Sequence, residues 1–273
     1  MTLEGLYQQI LTKRSFLCVG LDTDIRKIPS HLQDSPSGGL DFNRSIVDAT
    51  HDLAIAYKPN LAFYEARGAA GWKDLAGTLE YIRNVNPDIF LIADAKRGDI
   101  GNTAGMYART FFEELDFDAV TISPYMGRDS VEPFLEYKDK WVILLGLTSN
   151  PGAEDFQFLP LQDEGKKLYQ EVIRKASTWA GPDQMMFVAG ATRADLISEI
   201  RKIVPDHFLL VPGIGAQGGS LEEVVKAGSN DLVGLIVNSS RSILYADNSE
   251  SFANKARANA LELQQAMSMH LPD

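Results

Sequence analysis

The chain has 273 residues, 45% of them hydrophobic and 23% charged, which is enough apolar content for a sizeable core and excludes a disordered or collagen-like chain. Its 37 acidic residues against 26 basic ones give a net charge of −11, a field that repels a phosphate backbone, so no nucleic-acid partner is expected. The single cysteine, Cys18, lies in an apolar run; it excludes an intrachain disulfide, reads as a small buried hydrophobe and suits a reducing cytoplasm.

From the start of the chain, Met1 to Phe16 mixes charges of both signs and lacks the apolar stretch of a secretory leader, while the run Trp141 to Leu147 is too short to span a bilayer. Neither secretion nor a membrane partner is expected. A first helix is predicted over 3–13. Short apolar, β-rich runs then follow at 16–21, 54–58, 89–94, 119–123, 141–147, 185–189, 208–211 and 232–237. Runs without polar alternation are strands buried on both faces, as in parallel sheets. Between them apolar residues recur at helical spacing, over 73–85, 102–115 and 193–204; in the last, Leu196, Ile200 and Ile203 fall four and three apart. A closing helix is expected around 251–269. Eight strand–helix units in this length predict a closed (β/α)8 barrel forming one domain, rather than an open sheet of about six strands.

Two long connections, 23–41 and 148–160, follow strands and would lie at the C-terminal face, where barrel active sites form. Charges punctuate the strand ends: Asp22, Lys58, Asp94 and then Lys96, with Asp99 beyond Gly98. Asp94 and Lys96, two apart in an extended chain, are expected to point to the same side. Such a cluster is either a structural ion-pair network or a functional site. Well-packed apolar residues are often no less stable than buried ion pairs, so a dense cluster favours function. A second cluster comprises Pro212 to Gly219 after the seventh strand and Asn238-Ser239-Ser240-Arg241 after the eighth. Glycines that admit backbone N–H groups, a helix N-terminus and an arginine fork make a phosphate cradle at this place in a barrel. The four histidines, His31, His51, His207 and His270, are scattered, and no metal-ligand spacing or Ser-His-Asp arrangement is legible. The implied chemistry is a lysine acid or base among carboxylates, acting on a phosphorylated small molecule.

The run Asp94-Ala95-Lys96-Arg97-Gly98-Asp99-Ile100, with Lys58, Pro212-Gly213-Ile214-Gly215-Ala216-Gln217 and Arg241, resembles the orotidine 5′-phosphate decarboxylase family, from Leu21 to Ala246. The DxKxxD element alone is shared with a wider superfamily of sugar-phosphate barrels, whose Mg²⁺-dependent members tend to carry an acid where this chain has Lys58. The long connection after the first strand and Tyr57-Lys58-Pro59-Asn60 resemble the longer-chain bacterial subgroup. The resemblance implies decarboxylation of a nucleotide with no cofactor and no metal, by a homodimer with shared active sites. It implies Lys58, Asp94, Lys96 and Asp99 as a charged tetrad, with Lys96 the proton donor and Asp99, Ile100 and Thr103 supplied by the other subunit. Asp22 matches the family's ribose ligand and Ser149 the residue that hydrogen-bonds the pyrimidine, while Pro212, Gln217 and Arg241 match the parts that hold base and phosphate. Ser240, where the family's loop often has glycine, would add a backbone N–H to the phosphate.

Overall fold

The structure, a computed structural model, describes residues 1–162, 165–190, 193–213 and 220–272. Its strands are β1 (Leu17–Leu21), β2 (Ala56–Pro59), β3 (Phe90–Arg97), β4 (Ala119–Ile122), β5 (Trp141–Leu147), β6 (Met185–Ala189), β7 (Leu209–Pro212) and β8 (Leu235–Ser239). They follow one another in chain order as a closed barrel, with helices between, so the predicted (β/α)8 architecture is the observed one. Every residue of β1, β2, β4, β6 and β8 is buried, which is why these segments read as nearly unbroken apolar runs rather than as alternating ones. No described helix is long and apolar enough to cross a membrane.

The elements depart from expectation where local backbone chemistry overrides the apolar pattern. β8 starts at Leu235 instead of residue 232, because Asn230 and Val233 form a bridge of their own. Val233 (φ +67°) and Gly234 (φ +64°) are both left-handed, and two such residues in succession break the extended backbone a strand needs. The strand runs on to Ser239, so Asn238 and Ser239 belong to it rather than to the loop. The helix expected over 102–115 is an α-helix, Gly101–Arg109, that ends in a π-helical turn, Thr110–Glu114. The helix expected from residue 73 begins at Gly68, since its first turns are glycine and alanine and carry no apolar period; Leu75, Leu79 and Ile82 then form the buried stripe.

The chain divides into two compact units, one of Met1, Leu3–Ala95 and Asn238–Asp273, the other of Thr2 and Lys96–Val237. In the first, helix Gly38–Thr50 buries Phe42, Ile46 and Val47, and the Phe42 ring stacks on Phe252 with centroids 5.1 Å apart. In the second, the Arg201 guanidinium donates to the carbonyls of Gly228, Val204, Pro205, His207 and Gly234 at 2.6 to 3.1 Å. Burial lowers its pKa to about 10. The carbonyls replace the water the cation has lost, and they tie helix Ala194–Ile203 to the turns that precede β7 and β8.

Candidate active site

In the first unit, Gly20 of β1 stands opposite Lys58 of β2, and Asn60 bridges Asp94 of β3. This register brings the Lys58 ammonium to Asp94, where Nζ donates to Oδ2 at 2.8 Å. The two side chains are only 6% and 9% exposed, and taking such ions out of water costs several kcal/mol each. Burial alone would lower the Lys58 pKa, but the charges of Asp94 and Asp22 and the hydrogen bond to Asp94 outweigh it and raise the pKa. The lysine therefore stays charged. Asp22 follows β1 directly, and its buried Oδ1 meets no hydrogen-bond partner among the described residues. An unsatisfied buried acceptor costs about 1–3 kcal/mol, more when charged, so this oxygen is an acceptor in want of a donor.

A polar network holds Asp22 in place. Tyr64 donates its hydroxyl to the Leu21 carbonyl at 3.1 Å and Tyr245 to the Asp22 carbonyl at 2.7 Å. The Asp24 N–H returns to the Tyr245 oxygen at 2.8 Å. Thr23 donates to Asn43 at 2.6 Å, and Asn43 donates to Tyr64 and Thr78 at 3.0 and 2.9 Å. Tyr245 directly follows helix Arg241–Leu244, so the short helix that begins with Arg241 leads into the residue that fixes Asp22. Sequence reasoning missed these positioning residues. Asn43 carried a signal, a polar residue between the buried apolar positions of an amphipathic helix; Tyr245 carried none.

Ser240 owes its place to a glycine. A Cβ built on Gly20 would lie 1.9 Å from Ser240 Oγ, so the serine hydroxyl occupies the room β1 leaves open, and it accepts the Asn238 amide N–H at 3.2 Å. Asn238 also approaches Cys18 Sγ at 3.6 Å. Burial pushes the Cys18 thiol up to about 12, so it stays protonated and serves as the packing residue its apolar run predicts. Gly20→Ala is expected to destabilise the protein by about 1–3 kcal/mol through this clash. Ser240→Gly introduced beside it should restore most of the loss in thermal unfolding. Losses that simply add would show that the two residues do not compete for one space.

In the second unit, Lys96 lies in β3 with φ +45°. The expectation that Asp94 and Lys96 project to one side assumed extended backbone throughout, and a left-handed residue breaks that alternation. A non-glycine residue held there costs about 1–3 kcal/mol and is typical of functional positions. The Lys96 side chain is exposed, and its N–H donates to Thr121 Oγ1 at 2.9 Å. Half-buried Asp99 accepts the Ile100 N–H at 2.8 Å, while Ile100 and Thr103 stand exposed at the start of helix Gly101–Arg109. Half-buried Ser149 follows β5 closely; a Cβ on Gly190 would lie 2.9 Å from its nitrogen. Its neighbour Thr148 exchanges two hydrogen bonds of 2.8 Å with Gln157. Pro212 ends β7, and Gly213 at φ +97° turns the chain away. Gln217 lies outside the described residues.

Residues 15–256 match the family described as orotidine 5′-phosphate decarboxylase / HUMPS. The chain belongs to this family. The match spans every candidate site residue from Asp22 to Arg241. Orotidine 5′-phosphate decarboxylase of Bacteroides fragilis is 60% identical over 271 residues, covering 99% of this chain and 98% of that protein. That of Flavobacterium johnsoniae is 58% identical over 267 residues, covering 98% and 97%. The structure of Leishmania donovani OMP decarboxylase superposes with a TM-score of 0.84 at 36% identity, over 99% of both chains. The orotidine 5′-phosphate decarboxylase / HUMPS family is thus the one expected from the DxKxxD element, Lys58 and the glycine-rich loop.

Proposed function

We propose that this chain converts orotidine 5′-phosphate to uridine 5′-phosphate and CO₂ in pyrimidine nucleotide synthesis, as one (β/α)8 catalytic domain in the cytoplasm, without a cofactor. The observation that carries this reading is the buried Lys58–Asp94 pair with an open Asp22 oxygen, in a chain of this family. In the proposed reaction the bond from C6 to the carboxylate breaks, its electron pair stays on C6, and the Lys96 ammonium delivers a proton there. Exposure of Lys96 supports this role, because the lysine can recover its proton from water. Asp94, held against Lys58, faces the substrate carboxylate as a like charge; two like charges about 4 Å apart contribute roughly 4 kcal/mol at an effective dielectric of about 20, relieved as neutral CO₂ departs. Asp22 accepts a ribose hydroxyl. Ser149, Pro212 and Gln217 hold the base, while Arg241 and the Ser240 N–H hold the phosphate.

In this proposal the enzyme is a homodimer, and Asp99, Ile100 and Thr103 complete the site of the neighbouring subunit. Support comes from the same segment: Ile100, at the start of helix Gly101–Arg109, and Met106 within it are 47% and 58% exposed. Large apolar side chains left exposed on one helix suit a subunit interface. Remote binding of the phosphate would drive closure of the 148–160 connection over the substrate.

The test is loss of orotidine 5′-phosphate absorbance with purified protein in EDTA. Activity that appears only with added Mg²⁺ would overturn the reading in favour of a metal-dependent relative. Arg241→Ala is expected to weaken binding of uridine 5′-phosphate roughly 10 to 150-fold, as for a charge-assisted bond of about 1.5–3 kcal/mol, and to leave uridine binding almost unchanged. Equal losses for nucleotide and nucleoside would remove Arg241 from the phosphate site.

A further inference from the structure

We infer that Thr121 is a positioning residue for Lys96, whose side-chain hydroxyl holds the lysine backbone in the left-handed conformation from which the ammonium leaves the strand. The inference rests on Lys96 being the proton donor proposed above. In a regular parallel ladder a β3 N–H donates to a backbone carbonyl of the neighbouring strand. The Lys96 N–H donates to the Thr121 side chain, Oγ1 at 2.9 Å. Thr121 is 1% exposed, so its hydroxyl is out of reach of water.

The clamp has a second jaw. The Arg97 carbonyl accepts the Ser123 N–H at 2.7 Å, and a Cβ on Gly98 would meet the Ser123 carbonyl oxygen at 3.3 Å. Thr121 therefore anchors the peptide entering Lys96, and Ser123 anchors the backbone beyond it. Between these two fixed points sits the one residue of β3 with positive φ. A backbone pinned on both sides can keep a conformation that a free strand end would relax. Because φ sets where Cβ points, the same pinning sets the direction of the lysine side chain. Ser123 acts through its main-chain N–H, whereas the Thr121 contribution needs a side-chain oxygen on a strand otherwise made of Ala119, Val120 and Ile122.

The experiment compares Thr121→Val, which keeps shape and loses the acceptor, with Thr121→Ser, which keeps the acceptor. Thr121→Val is expected to lower kcat for orotidine 5′-phosphate by about 10 to 100-fold, the scale of a catalytic group misplaced by about 1 Å. KM and the affinity for uridine 5′-phosphate should stay within about threefold of wild type, and Thr121→Ser should keep most of kcat. The Lys96 backbone amide should exchange with deuterium faster in Thr121→Val and at the wild-type rate in Thr121→Ser. Thr121→Ala carries the same expectation should the valine variant fail to fold. An unchanged kcat and amide exchange in Thr121→Val would overturn the inference, as would a Thr121→Ser variant as impaired as Thr121→Val. A parallel rise in KM would also overturn it, by pointing to general disruption of the site. Lys96→Ala separates the two levels: if that variant keeps its activity the proton-donor reading falls, while amide exchange still decides whether Thr121 anchors Lys96.

Discussion

Equal amounts of Lys96→Ala and Asp99→Ala chains, unfolded and refolded together, are expected to regain about a quarter of wild-type activity. Each variant alone should be nearly inactive, since under the proposed mechanism one lacks the proton donor and the other the carboxylate it would lend to its neighbour. In a mixed dimer one site collects both defects. The other takes Lys96 from the Asp99→Ala chain and Asp99 from the Lys96→Ala chain, and is intact. Random exchange in a two-fold dimer makes about half of the dimers mixed, each with one good site of two, hence the quarter. The exposed faces of Ile100 and Thr103, next to Asp99 on the same segment, motivate the experiment. Wild-type protein taken through the same refolding sets the scale. If it recovers and the mixture does not, Asp99 serves its own subunit and the shared site is wrong.

The barrel was legible because its strands are buried on both sides: residues 141–147 and 185–189 were read with the bounds the structure gives. The charged residues were legible for the same physical reason, since Lys58 and Asp94 interrupt apolar runs and a buried charge needs a partner. What the sequence concealed is backbone geometry and distant pairing. Nothing in the residue type of Lys96 announces φ +45°, and a lysine in a strand-like run reads as extended. The hydrogen bond from Tyr245 to Asp22 joins positions 223 apart in sequence, a distance over which no local pattern carries information. Ser240 read as a departure from a glycine-bearing loop, and only its packing over Gly20 accounts for it. Thr121 left a faint trace, a hydroxyl in an apolar strand, which on its own is as ordinary as any β-branched residue.

Lys58→Met is expected to abolish activity and to destabilise the fold, and a second substitution should separate these two effects. Removing the lysine leaves Asp94 buried without its 2.8 Å partner, and breaking one side of a buried pair costs about 3–5 kcal/mol. Replacing both partners, in Lys58→Met/Asp94→Leu, removes the carboxylate together with the lysine and fills the space with apolar atoms. Such replacements are often neutral or stabilising. The double variant should therefore unfold thermally well above Lys58→Met, short of full recovery because Asp22 loses the neighbouring ammonium. Its activity should remain at least about a hundred-fold down, the scale for one lost electrostatic group in an active site, since neither the Asp94 carboxylate nor the lysine that holds it is left. A double variant that regained activity along with stability would make the pair a structural ion bridge, and the chemistry would then have to reside in Lys96 and Asp99 alone.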